Sequence, residues 1–373
     1  MSKKRFLILT SLLSVFILTS CTLPEVTPPV IPPTETNSLF IVTPAETASS
    51  NSLPIPAPVE ITVKNASEIK PLYKAAVSNV QELVWSSDSK NLALSTQNSD
   101  GSGAQLFGVT TLLVPDLIPT KIFSSQTGWV SAVASDGRTA ALVTQDMKSF
   151  SLIDLQEDNA IILSVTPGFL IGNVTFSSDM RYVAVSKVEE WGVVLYSFPA
   201  GEEVRTLTGF ETAAPVYNAG FKESPQWMVW HARGTIQLQE LETGKFVSKL
   251  EHEDFVTTYA LTADGTVLAS ASGKTVNGEM VPAILLWDAA QGIGIKTLVL
   301  TDPAYAIEFS PNGKLLAIGT AHELQIWDAT SGESLFSQED HSEEINALAF
   351  SPDGKFIATS GLDNQLYLWQ IAP

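Results

Sequence analysis

From residue 59 onward, short apolar runs alternate with polar turns in a fixed order. Ala347-Leu348-Ala349-Phe350 leads into Ser351-Pro352-Asp353-Gly354-Lys355, then Phe356-Ile357-Ala358-Thr359, and then Leu366-Tyr367-Leu368-Trp369. Apolar runs of this length, bounded by Asp-Gly turns, predict β-strands rather than helices. The same order stands 41 residues earlier: Ala306-Ile307-Glu308-Phe309, Ser310-Pro311-Asn312-Gly313-Lys314, Leu315-Leu316-Ala317-Ile318 and Leu324-Gln325-Ile326-Trp327. Weaker copies lie around 84–90, 133–138, 175–181, 219–224 and 260–265.

Seven copies spaced about 41 to 49 residues apart, with room for four short strands in each, predict an all-β, seven-bladed propeller. A single copy would expose two apolar sheet faces, whereas a ring of seven buries each face against a neighbour. The last copy stops three strands in. Asn65 to Tyr73 aligns with Asp328 to Phe336, the stretch that enters the fourth strand of the copy before it. Residues 69–75 are therefore expected to close the ring by pairing with 365–370, which removes two raw sheet edges.

The residues carrying the repeat resemble the WD-repeat family: Trp287-Asp288, Trp327-Asp328 and the Ser-Pro-Asp/Asn-Gly-Lys turns. The resemblance covers about residues 59–373 and is strongest in the last three copies. It implies a structural tetrad of histidine, hydroxyl, aspartate and tryptophan. The seventh copy supplies all four as His341, Thr359, Asp363 and Trp369. The fifth supplies a partial set, His252, Ser270 and Trp287, and an insertion at 273–283 replaces its aspartate turn. The sixth lacks both histidine and aspartate. His231 and His322 are expected near turns, facing solvent.

The N-terminus has a different pattern. Met1-Ser2-Lys3-Lys4-Arg5 precedes an apolar run from Phe6 to Leu18, which has the proportions of a secretory signal and is short for a membrane span. Leu18-Thr19-Ser20-Cys21 resembles the lipobox of bacterial lipoproteins, which implies lipidation at Cys21. The other reading is an uncleaved signal anchor with an idle cysteine. Thr22 to Pro58 contains nine prolines, ten serines or threonines and no lysine or arginine, a composition that favours an extended tether over a packed core. The expected organisation is a signal peptide at 1–20, a lipidated cysteine and disordered stalk at 21–58, and the propeller at 59–373. The expected location is the outer side of a bacterial membrane, facing periplasm or exterior.

Composition narrows the chemistry. Lysine plus arginine number 21 against 40 aspartates plus glutamates, a formal charge of −19, which argues against a nucleic-acid partner. One cysteine and four histidines leave no material for a disulfide framework or a multi-cysteine metal site. No nucleophile elbow, zinc-protease histidine pair, phosphate loop or complete calcium loop occurs. Residues 98–103 imitate part of a calcium loop but lack its later glutamate and read better as a turn. The placement of Trp327 and Trp369 at the end of a third strand differs from that in quinone-dependent propellers. No cofactor, metal or catalysis is expected.

The remaining signal is charge on the loops that join one blade to the next. These carry Glu211, then Glu251, Glu253 and Asp254, then Asp302, then Glu339, Asp340, Glu343 and Glu344, with no lysine or arginine in the same loops. Such a rim would recruit a cationic partner; the alternative is ordinary solvated loops in an acidic protein. The expectation is a monomeric, membrane-anchored scaffold that binds a protein or basic peptide. The rivals are an enzyme acting on a glycan or peptide in the central channel and an envelope assembly factor.

Overall fold

In a computed structural model, residues 57–99, 105–188, 192–208, 218–221, 227–232 and 234–371 are described. The expected signal peptide, Cys21 and the expected stalk up to residue 56 lie outside them. The described residues form seven sheets of four antiparallel strands. The only helical turn among them is the 3-10 segment Ala66–Glu68. The fold is thus an all-β, seven-bladed propeller. The blades span 80–125, 128–165, 171–207, 218–251, 258–299, 306–339 and 345–371, with Ile69–Ala76 as the fourth strand of the seventh.

Burial follows position in the blade. The second strands Thr139–Thr144, Leu315–Gly319 and Ile357–Gly361 are buried on both faces, as their near-continuous small and apolar residues require. The outer strands Ile118–Ser125 and Ala160–Val165 are mostly exposed. The apolar residues sort into seven clusters, and each cluster joins two neighbouring blades. The core is therefore a ring of seven interfaces. One of them packs Leu366 and Leu368 of the last blade against Leu83, Leu92 and Leu94 of the first.

The turn after each first strand explains the sequence repeat. Ser351 Oγ donates to Asp353 Oδ1 at 2.7 Å and accepts from the Phe356 amide at 3.0 Å. Ser310 with Asn312, Ser177 with Asp179, Ser86 with Asp88 and Thr262 with Asp264 repeat the first contact. The next turn position is left-handed, filled by glycine in the clear copies (Gly313, Gly354). Ser89 and Met180 take it in two of the weak ones, with φ of 59° and 57°. Their strain is held by the same hydroxyl-to-carboxylate clasp.

The last blade is completed from the other end of the chain. Ile69–Ala76 pairs antiparallel with Gln365–Ile371, setting Pro71 opposite Trp369 and Tyr73 opposite Leu368. In the sixth blade Ser334 stands opposite Trp327 and Phe336 opposite Ile326. Both pairs carry the same register shift, so residues 69–76 occupy the position that 334–339 fill one blade earlier. Ile61, fully buried, fixes the entry to this strand: its amide donates to the Gly354 carbonyl at 2.8 Å. Asn312 donates to Glu60 at 2.9 Å. Both contacts are with turns between first and second strands, so the chain joins the ring on that face.

Candidate functional site

In a four-stranded antiparallel meander the second-to-third-strand turns and the blade-to-blade connections emerge at the same end of the sheet. The first-to-second-strand turns, and with them Ile61 and Glu60, emerge at the other. The end bearing the connections is the candidate interaction face.

A buried hydrogen-bond chain fixes the connection into the seventh blade. Trp369 Nε1 donates to Thr359 Oγ1 at 2.9 Å, and Thr359 Oγ1 lies 2.9 Å from His341 Nε2. His341 Nδ1 faces the Asp363 carboxylate at 3.0 Å. A carboxylate only accepts, so Nδ1 carries the proton and Nε2 accepts from the threonine hydroxyl. Asp363 also accepts the amides of Ser342 and Gln365. Third strand, second strand, connection and turn are thereby tied together. Burial lowers the pKa of His341, while the Asp363 carboxylate pulls it the other way. Gly361 is part of this unit: a Cβ there would lie 2.6 Å from His341 Nδ1 and 2.8 Å from Asp363 Oδ1. That role carries no sequence signal beyond a glycine two residues after Thr359.

The fifth blade builds the same chain with a different last member. Trp287 Nε1 donates to Ser270 Oγ at 2.9 Å, and Ser270 Oγ lies 2.7 Å from His252 Nε2. His252 Nδ1 faces the carbonyl of Gly234, from the preceding blade, at 3.1 Å. A carbonyl replaces a carboxylate, and burial pushes His252 down to about 4. The insertion at 273–283 is a continuation of two paired strands, Val267–Val276 and Glu279–Asp288, to an Asn277-Gly278 turn. In the sixth blade Trp327 donates to Gln325 at 3.0 Å, and Gln325 to Glu323 at 2.7 Å. That glutamine was not singled out by the repeat.

The acidic rim is partly balanced by lysines from neighbouring strands and is uneven around the ring. It is not free of cations: Lys249 pairs with Glu251 at 2.9 Å, and Lys274 with Glu253 at 2.5 Å. Lys249 comes from the strand leading into the loop and Lys274 from the elongated hairpin beside it, so neither falls in the loop sequence itself. The Lys274 ammonium and the Thr275 amide pull Glu253 down to about 2. Nor does the rim run all round the ring. The connections into the first three blades, 77–79, 126–127 and 166–170, hold no charged residue. Those into the fifth, sixth and seventh hold Glu253, Asp254, Asp302, Asp340, Glu343 and Glu344, flanked by the strand-end residues Glu251 and Glu339. Glu211 lies outside the described residues.

Within this half-rim the side chains of Asp302, Glu339 and Glu343 make no hydrogen bond or ion pair among the described residues. Asp340 is engaged on both sides: its carboxylate accepts from Gln338 at 2.5 Å and its carbonyl from Tyr367 at 2.7 Å. Burial first, and the nearby Glu344 carboxylate second, raise the pKa of Tyr305. The exposed Phe255 and Met280 add apolar surface around Glu253 and Asp254. His322 is exposed, but His231 is not a solvent-facing turn residue. It sits half-buried in the strand Trp227–Ala232, its ring 6.1 Å from that of Tyr259.

Comparison with known proteins agrees with this geometry. Residues 332–370 match the family model described as "WD domain, G-beta repeat". Eukaryotic translation initiation factor 3 subunit I of Culex quinquefasciatus is 30% identical over 275 residues, covering 65% of this chain and 80% of that protein. The guanine nucleotide-binding protein subunit beta of Schizosaccharomyces pombe is 33% identical over 69 residues, 18% of this chain and 23% of that one. Echinoderm microtubule-associated protein-like 1 of Homo sapiens is 28% identical over 88 residues. This chain spans only 11% of its length.

Proposed function

The chain belongs to the WD-repeat family of propellers, and from that premise we propose that it is a non-catalytic scaffold that holds a cationic protein or peptide against the acidic half of its rim. WD propellers are in general interaction platforms, and two of the relatives are by name subunits. The observation that carries the reading is that, among the described residues, the carboxylates of the blade connections stand in those into the fifth, sixth and seventh blades. A one-sided field of this kind orients a basic partner and raises its association rate.

We further propose that the scaffold is lipid-anchored through Cys21 and works outside the cytoplasm. The lipobox-like Leu18-Thr19-Ser20-Cys21 and the proline-rich segment after it support this. Affinity capture of the lipidated protein from its native membranes tests the whole reading. A basic protein retained at low salt and released at high salt supports it. Unchanged processing and membrane fractionation of Cys21→Ser would remove the anchor from it, and capture insensitive to salt would remove the acidic rim.

A further inference from the structure

The part of the same face where the blade connections carry no charge holds a cleft of about 220 Å³ where the first three blades meet. Gln81, Val130, Ser131 and Asn173 reach it from first strands, Ser95, Thr96 and Gln97 from a second strand, and Phe107 from a third. Trp129 completes the lining. In a protein of charge −19, none of these nine residues is charged.

Polar groups in the cleft lack partners. Thr96 is 2% exposed, and its hydroxyl has no hydrogen bond among the described residues. Leaving such a group buried and unpaired costs free energy that a ligand hydroxyl would recover. Asn173 uses its oxygen to accept from Ser131 at 2.7 Å, and Gln81 uses its nitrogen to donate to Asn79 at 2.9 Å. The Asn173 amide N–H groups and the Gln81 carbonyl are left free among the described residues. The site thus offers neutral donors and neutral acceptors side by side, next to two aromatic rings. An anion would want cations or donors alone, and a cation would want carboxylates. Vicinal hydroxyls, each donor and acceptor at once, with a C–H face for Trp129, fit both features.

We propose that this cleft binds one neutral pyranose unit. Its volume lies below the roughly 300–1,000 Å³ typical of drug-sized sites, which limits it to a single ring. It binds without hydrolysing, because glycoside cleavage needs a pair of carboxyl groups across the bond and the lining has none.

The test is saturation-transfer NMR with the full-length chain. The probes are methyl β-glucopyranoside, methyl β-galactopyranoside and N-acetylglucosamine, with glucuronate as the charged comparator. At least one neutral probe should bind with a dissociation constant on the order of a millimolar. Binding should be unaffected by salt, and glucuronate should bind at least about tenfold more weakly. Thr96→Val, which keeps the packing, should weaken binding about threefold to tenfold. Trp129→Ala should abolish it. No transfer to any neutral probe would overturn the proposal, as would binding unchanged in Thr96→Val. Retention of rim-dependent partner binding in Thr96→Val would show that the scaffold reading stands or falls separately.

Discussion

The His341 imidazole and the Asp363 carboxylate meet at 3.0 Å with their side chains 0% and 4% exposed, inside the connection that carries Asp340, Glu343 and Glu344. The acidic loop is therefore held in place by a neutral histidine clamped between a carboxylate and a threonine hydroxyl. Removing Asp363 strands a buried N–H and frees two backbone amides. Asp363→Ala should destabilise the propeller by about 1–3 kcal/mol, read as a lower urea midpoint. Gly361→Ala should act in the same direction, because its Cβ would press on the same two atoms. Midpoints equal to that of the unmodified chain would contradict the clamp.

The two histidine chains differ in their response to acid. His252 is pushed down to about 4, so between about pH 6.5 and about pH 4 the unfolded chain holds a proton on this residue that the folded chain does not. Its contribution is complete above pH 6.5 and is lost as pH falls toward 4. The total is on the order of a few kcal/mol. Stability measured from pH 7 to pH 4.5 should fall more steeply in the unmodified chain than in His252→Gln. Parallel curves would contradict the assignment.

Closure of the ring rests on residues far from the last blade in sequence. Ile61, Ala66 and Ile69 are buried in the cluster that holds Tyr367 and Trp369. Deleting residues 57–76 uncovers that cluster and leaves the strand Gln365–Ile371 as a raw edge. The expected result in calorimetry is loss of the single cooperative transition, or a large fall in its midpoint, together with aggregation. A wild-type melting curve would contradict closure by this strand.

Much of this architecture is legible in the sequence because a repeat reports itself. The alignment of Asn65 to Tyr73 with Asp328 to Phe336 carries even the register shift at Pro71 and Tyr73, since a similar strand edge demands a similar partner. The candidate site is less legible. The Gly234 carbonyl that receives His252 and the Lys274 that pairs with Glu253 come from other blades or from an elongated hairpin. Gln325, which receives the Trp327 indole, replaces a contact that the repeat assigns elsewhere. The first two are contacts made by folding that leave no spacing along the chain, and the third, although only two residues away, departs from the repeat.

Lys274 tempers the half-rim. Its pair with Glu253 is solvent-exposed, so Lys274→Met should leave the melting midpoint within about 2 °C of the original. It should also make the rim more negative and quicken association with a basic partner, which stopped-flow fluorescence would resolve. An unaltered or slower association rate would contradict a field-driven approach.

The most direct measurement is the association rate of the captured basic partner with the unmodified chain and with Asp302→Lys/Glu339→Lys/Glu343→Lys. These three carboxylates have no partner among the described residues, so the substitution changes charge and leaves the fold in place. At about 20 mM salt the triple variant should associate at least about tenfold more slowly, and the difference should shrink at about 300 mM. Equal rates at low salt would contradict an acidic half-rim that recruits its partner.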